Sequence, residues 1–147
     1  MKRKLVYIIM AAVLTATTLT VTARSKQGNN QATRMYMFGM AASFTDSLVY
    51  FTGVQTVDSA HIDPKTKFIW GSEFYSNQLR TYLDQQLHQP HRTCIVYYDR
   101  DRNKLEKKYL KVRQLYTTKA RQKFEIHELT EQDFHFTHVA PPKVEEE

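Results

Sequence analysis

Met35-Tyr36-Met37-Phe38-Gly39-Met40-Ala41-Ala42-Ser43-Phe44 reads as an extended strand that is apolar on both sides. Tyr36, Phe38, Met40, Ala42 and Phe44 share one face, and Met37, Gly39 and Ala41 the other, because side chains alternate along a strand. Such a strand suits the centre of a sheet, covered at least in part on both sides. Thr45-Asp46-Ser47 reads as a turn, and Leu48 to Val57, rich in Val, Tyr, Phe and Thr, as the returning strand of a hairpin. A three-residue loop sets Gly39 opposite Gly53 and leaves a gap in the side-chain cover. The expectation is a bend, or a slot for a neighbouring aromatic such as Trp70; the alternative is a ligand groove over bare backbone.

Downstream of the hairpin, Asp63-Pro64-Lys65-Thr66 is a turn with proline where φ is preset, and Lys67 to Trp70 reads as a short edge strand. The spacing of Tyr75, Leu79, Tyr82, Leu83 and Leu87 predicts a helix over Glu73 to Leu87, stopped by Pro90. Arg92 to Asp99 is again apolar on both faces and reads as a strand. Leu105, Tyr109, Val112 and Tyr116 predict a second helix from Asp101 to Thr118. Phe124 to Leu129 is a last long strand, and Asp133 to Thr137 a short addition. Paired strands followed by strands alternating with helices indicate an α+β two-layer sandwich, with a mixed sheet, an N-terminal hairpin and two helices. The Arg92 strand, second helix and Phe124 strand fit a right-handed crossover unit.

The ends of the chain read differently from its middle. Lys2, Arg3 and Lys4 precede the uncharged apolar run Leu5 to Leu14, and a Thr-rich stretch ends in Val21-Thr22-Ala23. That is the layout of a secretory signal peptide over residues 1–23, its apolar run too short for a spanning helix. Export follows, to the periplasm or the exterior. Residues 24–33 read as a flexible polar leader, 34–139 as a single α+β domain, and 140–147 as a proline-stiffened, disordered acidic tail. Removing residues 1–23 lowers the net charge from +6 to +3, so most of the basicity says nothing about nucleic acid. The remaining domain is long enough to bury a core without metal or disulfide. Cys94, the one cysteine, has no internal partner to bridge.

Cys94 is the weak candidate for a catalytic nucleophile, with a histidine as base. It lies within an apolar strand, where a free cysteine behaves as a small buried hydrophobe. His88 with His91, and His135 with His138, are spaced by three. The first pair is broken by Pro90; the second, if extended, points to opposite faces, with His138 on the side of Phe134 and Phe136. Neither spacing makes a metal site. Asp63, Asp99 and Asp101 read as turn and cap residues, and no phosphate-cradling glycine loop appears. No cofactor is implied. From Arg100 to Lys123 ten basic residues face only Asp101 and Glu106. Lys104, Lys107, Lys108 and Lys111 share a sector of about 100° on the second helix. Such a stripe attracts anions, or serves as a solvated face or one neutralised by the Glu145-Glu146-Glu147 tail.

Several stretches resemble a family of small exported bacterial proteins with no assigned activity. They include Met35-Tyr36-Met37-Phe38, Ala41-Ala42-Ser43-Phe44, Asp46-Ser47, Val49-Tyr50-Phe51-Thr52, Gln78-Leu79-Arg80, Arg92-Thr93-Cys94, Lys107-Lys108-Tyr109 and Asp133-Phe134. The resemblance implies an exported bacterial domain and supplies no catalytic residues. The sequence reading is therefore a non-catalytic binding or interaction module of the cell envelope, using Lys104, Lys107, Lys108 and Lys111. Its partner would be an envelope protein or an anionic surface; export argues against nucleic acid. The alternative is a small hydrolase or transferase built on Cys94.

Overall fold

A computed structural model describes residues 31–142; the signal-like segment, most of the leader and the end of the acidic tail lie outside these. Strand β1 (Gln31–Ala42) is followed by β2 (Leu48–Thr52) and β3 (Gln55–Ile62). Helix α1 (Ser72–Gln85), strand β4 (Thr93–Asp99), helix α2 (Arg102–Tyr116) and strand β5 (Glu125–Leu129) complete the order. The class is α+β with a mixed sheet, as the pattern of elements predicts. Among the described residues no helix is long and apolar enough to cross a membrane.

β1 is the hub of the sheet. Along one edge it pairs antiparallel with β2 and then with β3, which continues β2 after a step at Gly53-Val54. Along the other edge it pairs antiparallel with β4, from Tyr36↔Asp99 to Ala42↔Thr93. β5 joins β2 in parallel, so β4 and β5 run the same way at opposite margins of the sheet. Gln31 to Thr33, assigned above to the leader, are strand residues paired with Ile62 to Ala60.

The layering differs from the expected two-layer sandwich. Met35, Met37 and Ala41 pack with Tyr75, Leu79 and Leu83 of α1. Phe38 and Met40, on the opposite side of the same strand, pack with Leu105 and Val112 of α2. The sheet is thus a middle layer with one helix on each face. The reason lies in β1 itself: both its faces are apolar, and each needs cover from water.

Two local expectations also change. The hairpin loop is Ser43 to Ser47, five residues instead of three. Phe44, counted above into the strand, is fully exposed at its tip. The longer loop removes Gly39 from Gly53. Gly39 instead donates its N–H to Thr52 Oγ1 at 2.8 Å. The gap over Gly39 is filled by Leu79 and Phe136, whose nearest atoms lie 2.7 and 3.0 Å from where a Cβ would stand. Trp70 is elsewhere, stacked on Phe74. Lys67 to Trp70 forms only a single bridge, Ile69 to Ile62. Leu87 falls beyond the end of α1 and is partly exposed.

The segment after β5 is not a strand of the sheet. It runs extended over α1, held by two glutamine amides acting as a neighbouring strand would. Gln55 Nε2 donates to the Phe134 carbonyl at 2.8 Å, and its Oε1 accepts from Phe136 N–H at 2.9 Å. Gln78 does the same for both backbone groups of Thr137, each at 2.9 Å. Each amide presents one donor and one acceptor side by side, which satisfies a backbone that no strand reaches. The strap begins in a turn where Asp133 accepts from the Thr130 hydroxyl at 2.7 Å and its N–H at 2.9 Å. These bonds hold the Asp133 carboxyl below its ordinary range, the hydroxyl contributing most.

The filled slot at Gly39 makes a direct prediction. Gly39→Val must displace Leu79 or Phe136 and is expected to cost about 1–3 kcal/mol. Gly53→Ala meets no atom within 4 Å and is expected to stay within about 0.5 kcal/mol of the parent. Urea unfolding of both variants checks this, and equal costs would contradict the packing described.

Candidate functional site

Helix α2 is placed by its own ends and by its apolar stripe. Asp101 caps it, accepting from Lys104 N–H at 3.2 Å, and Asp99 accepts from Asp101 N–H at 2.8 Å. Leu105 and Val112 are buried against the sheet. Tyr109 meets Phe38 and Phe51 edge to face, with centroids 5.2 and 5.8 Å apart. With this stripe fixed downward, the two flanks of the helix acquire opposite characters.

On the flank toward β5 the charges are matched. Arg102 pairs with Glu106 at 2.8 Å, and Arg113 pairs with Glu128 of β5. On the flank toward β4 stand Lys104, Lys107, Lys108 and Lys111, all exposed and none within an ion pair among the described residues. The structure brings these four together along one groove of about 480 Å³ between α2 and the end of β4. Leu105, Tyr97, Tyr98 and Asp99 supply the rest of its lining. Tyr97 stacks on buried Phe38 with centroids 4.9 Å apart, and Lys108 Nζ lies 5.5 Å from the Tyr97 centroid. The aromatic floor is therefore held by the core beneath it, and Lys108 lies over it. The acids nearby are committed, Asp101 to the helix cap and Asp99 to the turn before it.

Cys94 lies in the opposite cover of β4, buried in the α1-side core. Its thiol faces the Arg92 carbonyl at 3.8 Å, and burial pushes its pKa up. A buried thiol with a raised pKa is the reverse of an activated nucleophile. The histidines do not gather around it. His88 and His91 are exposed in the loop after α1, and His127 pairs with Glu125 at 2.9 Å. His135 and His138 both open to solvent while Phe134 and Phe136 are buried, so His138 does not share their face. Regular alternation ends where Thr137 turns its backbone to Gln78. Among the described residues no three His, Cys, Asp or Glu side chains are placed to hold a metal ion.

Arg92 is the polar residue whose role the sequence left unread. Its side chain is 1% exposed and reaches Asp46 Oδ2 at 2.9 Å. It also donates to the Leu48 carbonyl at 2.9 Å and to Gln89 Oε1 at 2.7 Å, and its guanidinium lies 4.9 Å from the Tyr50 centroid. It ties the hairpin loop to the start of β4. The pairing is between residues 46 apart, so no local signal announces it.

A larger cleft of about 760 Å³ lies on the other face, between α1 and the strap. It is lined by Tyr82, Gln78, His135 and His138 among others, and by no Lys, Arg, Asp or Glu. It offers a ligand no fixed charge, and the Gln78 amide is already engaged. The basic groove is the better candidate on chemistry, despite its smaller volume. No family model, curated protein or solved structure matches the chain.

Cys94 is expected to alkylate slowly in the native protein and at the rate of a free thiol once denaturant unfolds it. Rapid modification of the folded protein by iodoacetamide would contradict its burial and revive the nucleophile reading.

Proposed function

We propose that this protein is a non-catalytic binding module that captures an anionic partner in the groove between α2 and β4. The observation that carries the reading is the segregation of charge on α2. Its β5 flank pairs each cation with an acid, while its β4 flank lines a groove with four lysines, none in an ion pair among the described residues, beside the single carboxylate of Asp99. Unpaired cations over a low-dielectric aromatic floor concentrate positive potential and attract anions. The signal-like residues 1–23 and the resemblance to exported bacterial proteins support a site of action in the cell envelope, with an envelope protein or anionic surface as partner. The buried state of Cys94 weighs against the hydrolase or transferase alternative.

The test uses two anionic probes, fluorescent polyglutamate and vesicles of an anionic phospholipid. The protein is expected to bind at least one at low salt and to lose about tenfold or more in affinity as ionic strength rises to about 0.2 M. A variant with Lys104, Lys107, Lys108 and Lys111 all changed to Gln is expected to bind neither. Equal binding by that variant and the parent would remove the groove from the account.

A further inference from the structure

The groove is bounded on one side by a helix and on the other by an open sheet edge. Among the described residues β4 pairs with β1 alone. The direction of its remaining backbone groups follows from β1. Gly39 sends its N–H toward Thr52 on the β2 side. The N–H and C=O of one strand residue point the same way and alternate from residue to residue. Tyr36, Phe38, Met40 and Ala42 therefore face β4 and exchange ladder bonds with Asp99, Tyr97, Ile95 and Thr93, their register partners. The backbone groups of Cys94, Val96 and Tyr98 turn outward. None of the loop and turn backbone bonds reaches these three. An unpaired strand edge is a template for another extended chain.

Charge says what that chain carries. The lysine groove wraps this edge, since Tyr97 and Tyr98, on opposite faces of β4, both line it. An adjoining depression of about 500 Å³ shares Tyr98, Asp99 and Lys104 and adds Lys67 and Arg100 together with Asp101, so its three cations outnumber its two acids. Lys104, Lys108 and Lys111 advance along the helix by steps of about 4.5–6 Å. Residues on one face of a strand repeat every ~6.8 Å, about 1–2 Å longer per step, a difference that long lysine side chains can span to reach acidic side chains at alternate positions. At the opposite margin, β5 carries Glu125 and Glu128 and offers no such match.

We infer that the occupant of the groove is an acidic, extended segment of a partner protein, added to the sheet as a strand beside β4. Its backbone meets Cys94, Val96 and Tyr98, and alternate carboxylates meet Lys104, Lys108 and Lys111. This rests on the anion-binding reading and narrows it: a lipid headgroup supplies charge but no ladder of alternating donors and acceptors. The recognition mode is strand addition, in which the backbone gives affinity and alternate side chains give selectivity.

The test is a titration of the full chain with a seven-residue peptide, the length of β4, alternating glutamate with valine. Isotope-resolved NMR is expected to show the amides of Cys94, Val96 and Tyr98 shifted, and protected from exchange by about tenfold or more at saturation. The same peptide N-methylated at the residues facing β4 keeps its charge and is expected to bind about tenfold more weakly or worse. Lys104→Gln with Lys108→Gln, a milder change than the quadruple variant, is expected to weaken the parent peptide similarly. Equal binding of the methylated and parent peptides would overturn strand addition while leaving anion capture standing. Vesicle binding without peptide binding would overturn the inference in favour of a lipid surface. Lysine-dependent self-association without peptide binding would give the edge to a second copy and overturn it likewise. Binding of neither probe would remove the anion-binding reading as well.

Discussion

Met35, Met37 and Ala41 on one side of β1, and Phe38 and Met40 on the other, are all withdrawn from water. One strand thus carries two cores, and the position of every other element answers that demand. α1 covers the odd face and α2 the even face. β4 flanks β1 on one edge, and β2 with β3 flank it on the other. Gly39 is the point where the odd-side cover comes closest, with Leu79 and Phe136 filling the space of its missing side chain. Burial at this density makes the strand's geometry stiff, and that stiffness passes to the elements packed on it.

Polar groups inside the fold act at its seams. Arg92 joins the hairpin loop to the start of β4 through Asp46, the Leu48 carbonyl and Gln89. A cation withdrawn from water persists only with such partners, and Asp46 retains enough solvent contact to limit the cost of the pair. Gln55 and Gln78 replace a missing strand for the strap. These contacts leave α2 untouched. Its lysine flank makes no ion pair among the described residues, while its Arg113 flank is anchored to β5. The division of labour within one helix is what turns a charged face into a groove.

Much of the fold was legible because the periods are local. The helices were marked by Tyr75, Leu79 and Leu83 and by Leu105 and Val112, and the strands by runs apolar on both faces. The lysine sector was legible for the same reason, since helix geometry fixes which residues share a side. Failures came where a contact is distant in the chain. Phe44 continued the apolar pattern yet sits at a loop tip. β3 was hidden by Asp58 and Ser59, the latter at φ 61 where the register with β1 shifts. The strap depends on Gln55 reaching residues 79 and 81 positions away. The open edge beside the lysines depends on strand order, which no periodicity encodes. The two apolar faces of β1 are legible in its alternation, but which helix covers each face rests on contacts distant in the chain.

The central claim is that the β4 flank of α2 is a binding surface and not merely a solvated one. Crosslinking the full chain to its partners in intact envelopes with a lysine-reactive reagent, then mapping the modified residues by mass spectrometry, tests it most directly. The account predicts that crosslinks to one dominant partner concentrate on Lys104, Lys107, Lys108 and Lys111, with Lys119 and Lys123 at background. Crosslinks spread evenly over all exposed lysines, or centred away from α2, would contradict it.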